Sequence, residues 1–228
     1  MCIRDRTKEG HANFVTVYDK KVQETLRKKL LEILPEAVFV GEEDDVHASI
    51  KKGFAFIVDP IDGTTNFIKD YHVSAISVGL AKDGEKYIGV VYNPYLDEMF
   101  TAERGKGAFL NGRPIHVSRN PLSEGIVLFG TAPYYEELSK KSFQMAYAYF
   151  KKALDVRRSG SAAIDLCSIA AGRAELYFEL RLSPWDFAAG ALIVEEAGGV
   201  VTTVEGGAVT LGQKCSVLAT NGRCGRLE

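Results

Sequence analysis

The sequence predicts a mixed α/β fold, and two observations about the spacing of its apolar residues carry that expectation. In the first half, short apolar runs joined by a tight turn signal suggest a largely antiparallel sheet with a helix packed on it. Beyond Gly125 the pattern changes, and β-type runs alternate with longer helical ones, as in an α/β layer.

Each element has a local reason. Val22, Leu26, Leu30, Ile33 and Leu34 recur at helical spacing after Asp19, and Pro35 stops that helix. Val38-Phe39-Val40 is a short β-type run ended by Gly41. Phe54-Ala55-Phe56-Ile57-Val58 is unbroken and apolar, which suits a buried strand, and Pro60 is expected to end its hydrogen-bond ladder. Residues 73–81 and 87–92 read as a hairpin turned by Lys82-Asp83-Gly84-Glu85, and residues 99–102 add a strand before a glycine-punctuated connection at 105–114. In the second half strands are expected at 126–129, 154–157, 175–179, 200–203 and 216–219, and helices at 136–152, 161–171 and 186–197.

Three acidic segments stand at the ends of these elements. Asp59-Pro60-Ile61-Asp62-Gly63-Thr64-Thr65-Asn66-Phe67 places two carboxylates where a buried strand leaves its sheet. They repel each other, and a hard divalent cation with oxygen ligands offsets that repulsion. Gly63 permits close backbone approach, and Thr64 or Thr65 can open a turn or helix whose free N–H groups face an anion. Gly41-Glu42-Glu43-Asp44-Asp45 gathers further carboxylates, and Ser183-Pro184-Trp185-Asp186 puts one at the start of an apolar helix. Taken singly, the first is a polar turn, the second a solvated acidic loop and the third an N-cap.

Together, with Phe187-Ala188-Ala189-Gly190 after Asp186 and Glu195, Ala197, Gly198 and Gly199 behind it, the three segments resemble the inositol monophosphatase family of metal-dependent, lithium-sensitive phosphatases. The resemblance runs from about Lys8 to about Asn221. It implies an αβαβα sandwich of the inositol monophosphatase/fructose-1,6-bisphosphatase type, with metals at the junction of two lobes, residues 8–124 and 125–221, of a single domain spanning 1–228. By the same resemblance Glu42, Asp59, the carbonyl of Ile61, Asp62 and Asp186 look like ligands of two to three Mg²⁺ ions, and Glu42 with Thr64 looks like the catalytic pair that orients the attacking water. Backbone groups of Gly63 and Thr64 would hold phosphate. Gly160, Ser161, Ala162 and Glu179 match positions that contact sugar or cyclitol hydroxyls, Asp62 and Asp186 would also face the substrate, and Asp19 matches a carboxylate just behind the metal site.

The implied activity is Mg²⁺-dependent hydrolysis of a small polyol or sugar monophosphate, with inositol monophosphate leading and fructose-1,6-bisphosphatase activity second. A non-catalytic protein that keeps the metal and phosphate cradle is the competing class. A homodimer is implied as well. Three departures stand out: Met1 to Arg6 does not resemble the family's long N-terminal helix, residues 222–228 read as an unstructured tail in place of a terminal helix, and Lys69-Asp70 and Gly130-Thr131-Ala132-Pro133 differ from the usual text where substrate choice is set.

Composition agrees with an enzyme of this size. At 228 residues and 46% hydrophobic content the chain can bury a full core. A net charge of −2 argues against nucleic-acid or anionic-membrane partners. The absence of an apolar leader or spanning run makes a cytoplasmic location the expectation. The four cysteines form no C-x-x-C pair, and the four histidines have no ligand spacing. Tyr134, Tyr135, Tyr147, Tyr149 and Phe150 read as helix core or interface, and Arg157-Arg158 stands close enough to Gly160 to bear on the substrate.

Overall fold

The computed structural model describes residues 4–7, 14–44, 49–133 and 135–225. In chain order its strands are β1 (Arg4–Thr7), β2 (Phe14–Thr16), β3 (Val38–Gly41), β4 (Phe54–Asp62), β5 (Ala75–Lys82), β6 (Glu85–Asn93), β7 (Glu98–Glu103), β8 (Ala108–Leu110), β9 (Arg113–Ile115), β10 (Ile126–Phe129), β11 (Asp155–Arg157), β12 (Leu176–Leu182), β13 (Val200–Thr202) and β14 (Cys215–Thr220). The helices are α1 (Val17–Ile33), α2 (Thr64–Ile68), α3 (Glu136–Phe150), α4 (Ala162–Ala170) and α5 (Pro184–Glu196).

Strands β3 to β9 form one sheet in sequence order, antiparallel except for the β3–β4 pair. The second sheet has the order β11-β10-β12-β14-β13, parallel around β10 and antiparallel around β14. Alternating residues of each strand serve different layers. In the first sheet Phe39, Phe56 and Val58 pack under Leu26 and Leu30 of α1, while Val40, Ala55 and Ile57 join the core made by α4 and α5. In the second, Leu128, Tyr177, Val217 and Ala219 face that same core, and Val127, Phe129, Leu176 and Phe178 face Ala146 and Tyr149 of α3. The layers therefore run α1, sheet, α4/α5, sheet, α3, the αβαβα order that the resemblance implied.

Helix α5 is the centre of this stack. Its mean character is apolar on every side, and Phe187 to Val194 are all buried, as befits a helix covered by both sheets. The fit is close at Gly89 of β6, where an added Cβ would stand 2.6 Å from the Ala189 carbonyl oxygen and 3.1 Å from its Cα. Backbone cannot yield as a flexible side chain can, so Gly89→Ala is expected to cost about 1–3 kcal/mol by overpacking, read as a lower melting temperature.

Several sequence expectations need correction. Pro60 does not end β4; the strand continues to Asp62, and the ladder absorbs one extra residue between the pairs Asp59–Ser77 and Asp62–Ala75. A proline without an N–H is tolerated at such a bulge. The expected connection at 105–114 is instead occupied by the hairpin β8–β9, residues 108–115, turned at Asn111-Gly112, which are both in the left-handed region. That dipeptide is a hairpin signal, but strands of only three residues on either side give it no alternating pattern to mark them. Part of the expected C-terminal tail is also ordered. Asn221 Oδ1 accepts the N–H groups of Arg223 and Cys224 at 3.0 Å each, and Cys224 is buried in the α3-side core. Cys167, Cys215 and Cys224 are unbridged.

Of the aromatic group, Tyr149 is core, Tyr147 and Phe150 are exposed, and Tyr134 lies outside the described residues, as do His11 and His47. His72 is exposed and stacks on Tyr95, and His116 is exposed. No described helix is long and apolar enough to cross a membrane.

Candidate active site

The acidic segments meet where the first sheet ends against the starts of α4 and α5. The bulge in β4 turns the chain so that both Asp59 and Asp62 are buried at the strand's end. Asp59 Oδ1 accepts the Ile61 N–H at 2.9 Å, a local turn that fixes its carboxylate. Gly63 then takes φ +89°, and a Cβ there would lie 2.9 Å from the Val73 carbonyl oxygen, so only glycine fits. Thr64 opens α2 with its hydroxyl donating to the Ile61 carbonyl at 3.1 Å and lying 3.4 Å from Asp19 Oδ1.

Neighbouring elements hold the other carboxylates. Asp19 belongs to the capping box of α1, where its Oδ2 accepts the Thr16 N–H at 2.7 Å and the Thr16 hydroxyl at 2.5 Å. The loop carrying Glu42 is tied down by its N–H to the Val58 carbonyl at 3.1 Å, and by Asp44, which takes Arg27 at 2.5 Å and Gln23 at 3.1 Å. Asp44 is therefore a structural anchor, and Asp45 lies outside the described residues. Asp186 is not the N-cap of α5 as expected. That position is Ser183, and Asp186 sits three residues on, its Oδ2 accepting the Ser183 N–H at 2.7 Å, with Pro184 setting the first turn. Ser77, opposite Asp59 on β5, donates to the Trp185 carbonyl at 3.3 Å and so joins the start of α5 to the sheet beside Asp59.

A second set of contacts ties in α4. Ser161 caps α4 and is buried, giving its hydroxyl to Asp62 Oδ2 at 2.5 Å, and the Ala163 N–H donates to the same oxygen at 2.7 Å. Gly160 precedes it at φ +86° against the Asn66 amide. Asn66 Nδ2 donates to both the Val73 carbonyl at 2.7 Å and the Ser159 carbonyl at 2.9 Å, bolting the α2 segment to the α4 loop. Glu179 of β12 is partly exposed and lies within electrostatic reach of Asp62 and Asp186. Of the arginine pair, Arg157 turns to Asp155, and Arg158 Nε donates to Thr131 Oγ1 at 3.3 Å.

The electrostatics are those of gathered anions. Burial, then the neighbouring Glu42, Asp62 and Asp186, hold Asp59 well above the ordinary carboxylate value. Asp186 is raised well above its ordinary value by burial and then by Glu42 and Asp62. Asp62 is raised by burial to about 6, even though the donors from Ser161 and Ala163 favour its ionised form. Among the described residues no lysine or arginine pairs with Asp59, Asp62 or Asp186. Nor do three acidic, His or Cys groups among them converge to ion-ligand spacing. An all-oxygen set of buried and half-buried carboxylates with no lysine or arginine partner among the described residues suits a hard divalent ion such as Mg²⁺.

Sequence reasoning missed Asn66, Tyr177 and Asp165. Asn66 stands inside the acidic motif with no local signal of its task, and its amide is explained only by the Val73 and Ser159 carbonyls that the fold brings to it. Asp165 is buried behind the site and raised well above its ordinary value by burial, with Asp62 and Glu179 adding to the effect, and no local pattern distinguishes it from an ordinary first-turn helix acid.

Comparisons with known proteins place the chain in a family. The family model described as "Inositol monophosphatase family" matches residues 2–226. The chain is 40% identical over 200 residues to "Inositol-1-monophosphatase" of Rhizobium meliloti, covering 87% of this chain and 75% of that one. It is equally 40% identical over 202 residues to "Nus factor SuhB" of Vibrio cholerae, covering 88% and 76%. Among solved structures, an "IMPase/NADP phosphatase complexed with Mg2+ and phosphate" superposes with a TM-score of 0.86 at 25% identity, over 96% of this chain and 82% of that one. With its layered fold, its acidic cleft and a match along almost its whole length, this chain belongs to the inositol monophosphatase family.

Proposed function

We propose that this protein is a Mg²⁺-dependent phosphomonoesterase acting on a small polyol or sugar phosphate, with inositol monophosphate as the leading substrate. The observation that carries this reading is the gathering of Glu42, Asp59, Asp62 and Asp186 beside the Gly63-Thr64 turn, with Asp59 and Asp62 buried and, among the described residues, no lysine or arginine paired with Asp59, Asp62 or Asp186. Glu42, Asp59, the Ile61 carbonyl, Asp62 and Asp186 would hold two to three Mg²⁺ ions. When bound, such ions neutralise charge on the phosphoryl group and lower the pKa of water.

The chain's own residues do the remaining work. Glu42 accepts the proton of the attacking water, and Thr64, whose hydroxyl is set by the Ile61 carbonyl and Asp19, orients that water. The backbone N–H groups of Gly63 and Thr64 face the phosphate, since Gly63 brings the chain close without a side chain. Glu179 and the turn at Gly160, Ser161 and Ala162 face the alcohol portion. Because Ser161 is buried and commits its hydroxyl to Asp62, its part in binding falls to its backbone.

A panel of inositol 1-phosphate, fructose 1,6-bisphosphate and adenosine 3′,5′-bisphosphate, with and without Mg²⁺ and Li⁺, ranks the substrates. Mg²⁺-dependent, Li⁺-inhibited release fastest from inositol 1-phosphate is expected, and release fastest from fructose 1,6-bisphosphate would move the assignment to that sugar. The Nus factor name of the Vibrio cholerae relative favours a second reading, in which the fold serves as a binding component. Phosphate and Mg²⁺ binding without turnover would support it.

The same reading includes a homodimer, and one face suits it. Phe143, Tyr147, Phe150 and Leu154 lie at helical spacing along and just beyond α3 and are 57%, 64%, 48% and 65% exposed. The double substitution Phe143→Glu with Tyr147→Glu is expected to convert the dimer to monomer in sedimentation velocity. An unaltered dimer would place the interface elsewhere.

A further inference from the structure

The strand that carries Glu179 also carries a group that aims it. Tyr177 stands two residues earlier on β12, hence on the same face, and is fully buried. Its hydroxyl donates to Glu179 Oε2 at 2.8 Å, while Glu179 Oε1 accepts the Ala132 N–H at 2.9 Å. Two donors thus address opposite oxygens of one carboxylate. Ala132 is buried and held at φ +43°, a left-handed conformation that residues with a side chain rarely adopt. Gly130 lies against the same group, where a Cβ would stand 1.9 Å from Oε2.

This loop is itself secured. The Gly130 N–H donates to the Phe178 carbonyl at 2.9 Å, and Ser139 Oγ of α3 donates to the Thr131 carbonyl at 2.8 Å. The outcome is a carboxylate locked in direction, partly exposed, and set within electrostatic reach of Asp62 and Asp186 at the reacting end of the cleft. A charged acceptor fixed in this way rewards a hydroxyl donor on the substrate and leaves an expensive unpaired group when the donor is missing.

We propose that Tyr177 is a positioning residue that, with the Ala132 N–H and the side-chain-free Gly130, fixes Glu179 to receive a hydroxyl of the substrate's polyol portion and so sets selectivity for polyol monophosphates. The proposal rests on the phosphatase reading. Its measure is the ratio of kcat/KM for inositol 1-phosphate to that for 4-nitrophenyl phosphate, a monoester with no ring hydroxyl.

Tyr177→Phe keeps the buried ring and removes only the donor, so the ratio is expected to fall about tenfold, carried mainly by KM for inositol 1-phosphate. Gly130→Ala displaces the carboxylate by contact and is expected to lower the ratio in the same direction. Glu179→Gln keeps the shape and marks the loss when the charge itself is gone. Equal loss on both substrates in Tyr177→Phe and Gly130→Ala, or a ratio within twofold of the parent, would overturn the assignment. Failure of the phosphatase reading is distinct: the parent chain would then release phosphate from neither substrate with Mg²⁺, and the inference would fall with it.

Discussion

Asp62→Asn is expected to lower Mg²⁺-dependent phosphate release by at least about 10³-fold while leaving the metal-free chain as stable as the parent, or more so. The two effects have one source. Asp62 is buried among Asp59, Asp186 and Glu42, and its carboxyl is raised to about 6 chiefly by burial. An asparagine oxygen still accepts from Ser161 Oγ and the Ala163 N–H, so the α4 cap survives. What disappears is a negative charge that costs stability without metal and binds metal when it is present. Turnover assays paired with thermal melts, with and without Mg²⁺, check both halves. A variant that loses activity only because it melts much lower than the parent would contradict this account of Asp62.

The second large effect links Mg²⁺ and pH. In the unfolded chain the Asp62 carboxyl ionises near its ordinary value of 3.8, whereas in the native chain it is raised to about 6. Asp59 and Asp186 are shifted in the same direction, first by burial and then by neighbouring carboxylates. Over the interval between the two values the native state holds more protons than the unfolded state, so this contribution to stability falls as pH rises. The metal-free chain should lose it progressively from about pH 4 through pH 6. Bound Mg²⁺ favours the ionised carboxylates, so the gain in melting temperature on adding Mg²⁺ should grow from pH 5 to pH 8. Asp155 and Glu205 are shifted downward and act oppositely, and the comparison with Asp62→Asn at each pH isolates the share that Asp62 contributes. A Mg²⁺ gain equal at both pH values would contradict the electrostatic account.

Much of the fold was legible because its signals are local. The helical spacing of Leu26 and Leu30, the turn at Asp83-Gly84 and the apolar run Phe54–Val58 each determine their own element, and the structure has them within a few residues of expectation. The errors share a cause. Pro60 reads as a stop because its missing N–H breaks a ladder, but a bulge between Asp59 and Asp62 accommodates it, which only pairing with β5 reveals. The β8–β9 hairpin escaped notice because strands of three residues show no clear alternation.

Legibility of the site divided along the same line. Asp59, Asp62, Gly63 and Thr64 are contiguous in sequence, and their proximity follows from one turn. The approach of Asp186, Ser161 and Glu179 depends on α4, α5 and β12 meeting the end of β4, and only the resemblance supplied it. Tyr177, Asn66 and Ala132 were invisible for a physical reason. Their task is to hold another residue's group by hydrogen bonds that only the folded chain sets, one each from Tyr177 and Ala132 to Glu179 and two from Asn66 to the Val73 and Ser159 carbonyls, and no local pattern marks that task.

The most direct test of the central claim is inorganic phosphate release from inositol 1-phosphate by the purified chain, with folding verified by a cooperative melt, across a Mg²⁺ titration and in EDTA. Saturable release that requires Mg²⁺ and stops with EDTA is the predicted result. Release that persists in EDTA, or none at any Mg²⁺ concentration from a folded chain, would contradict a metal-dependent phosphatase built on Glu42, Asp59, Asp62 and Asp186.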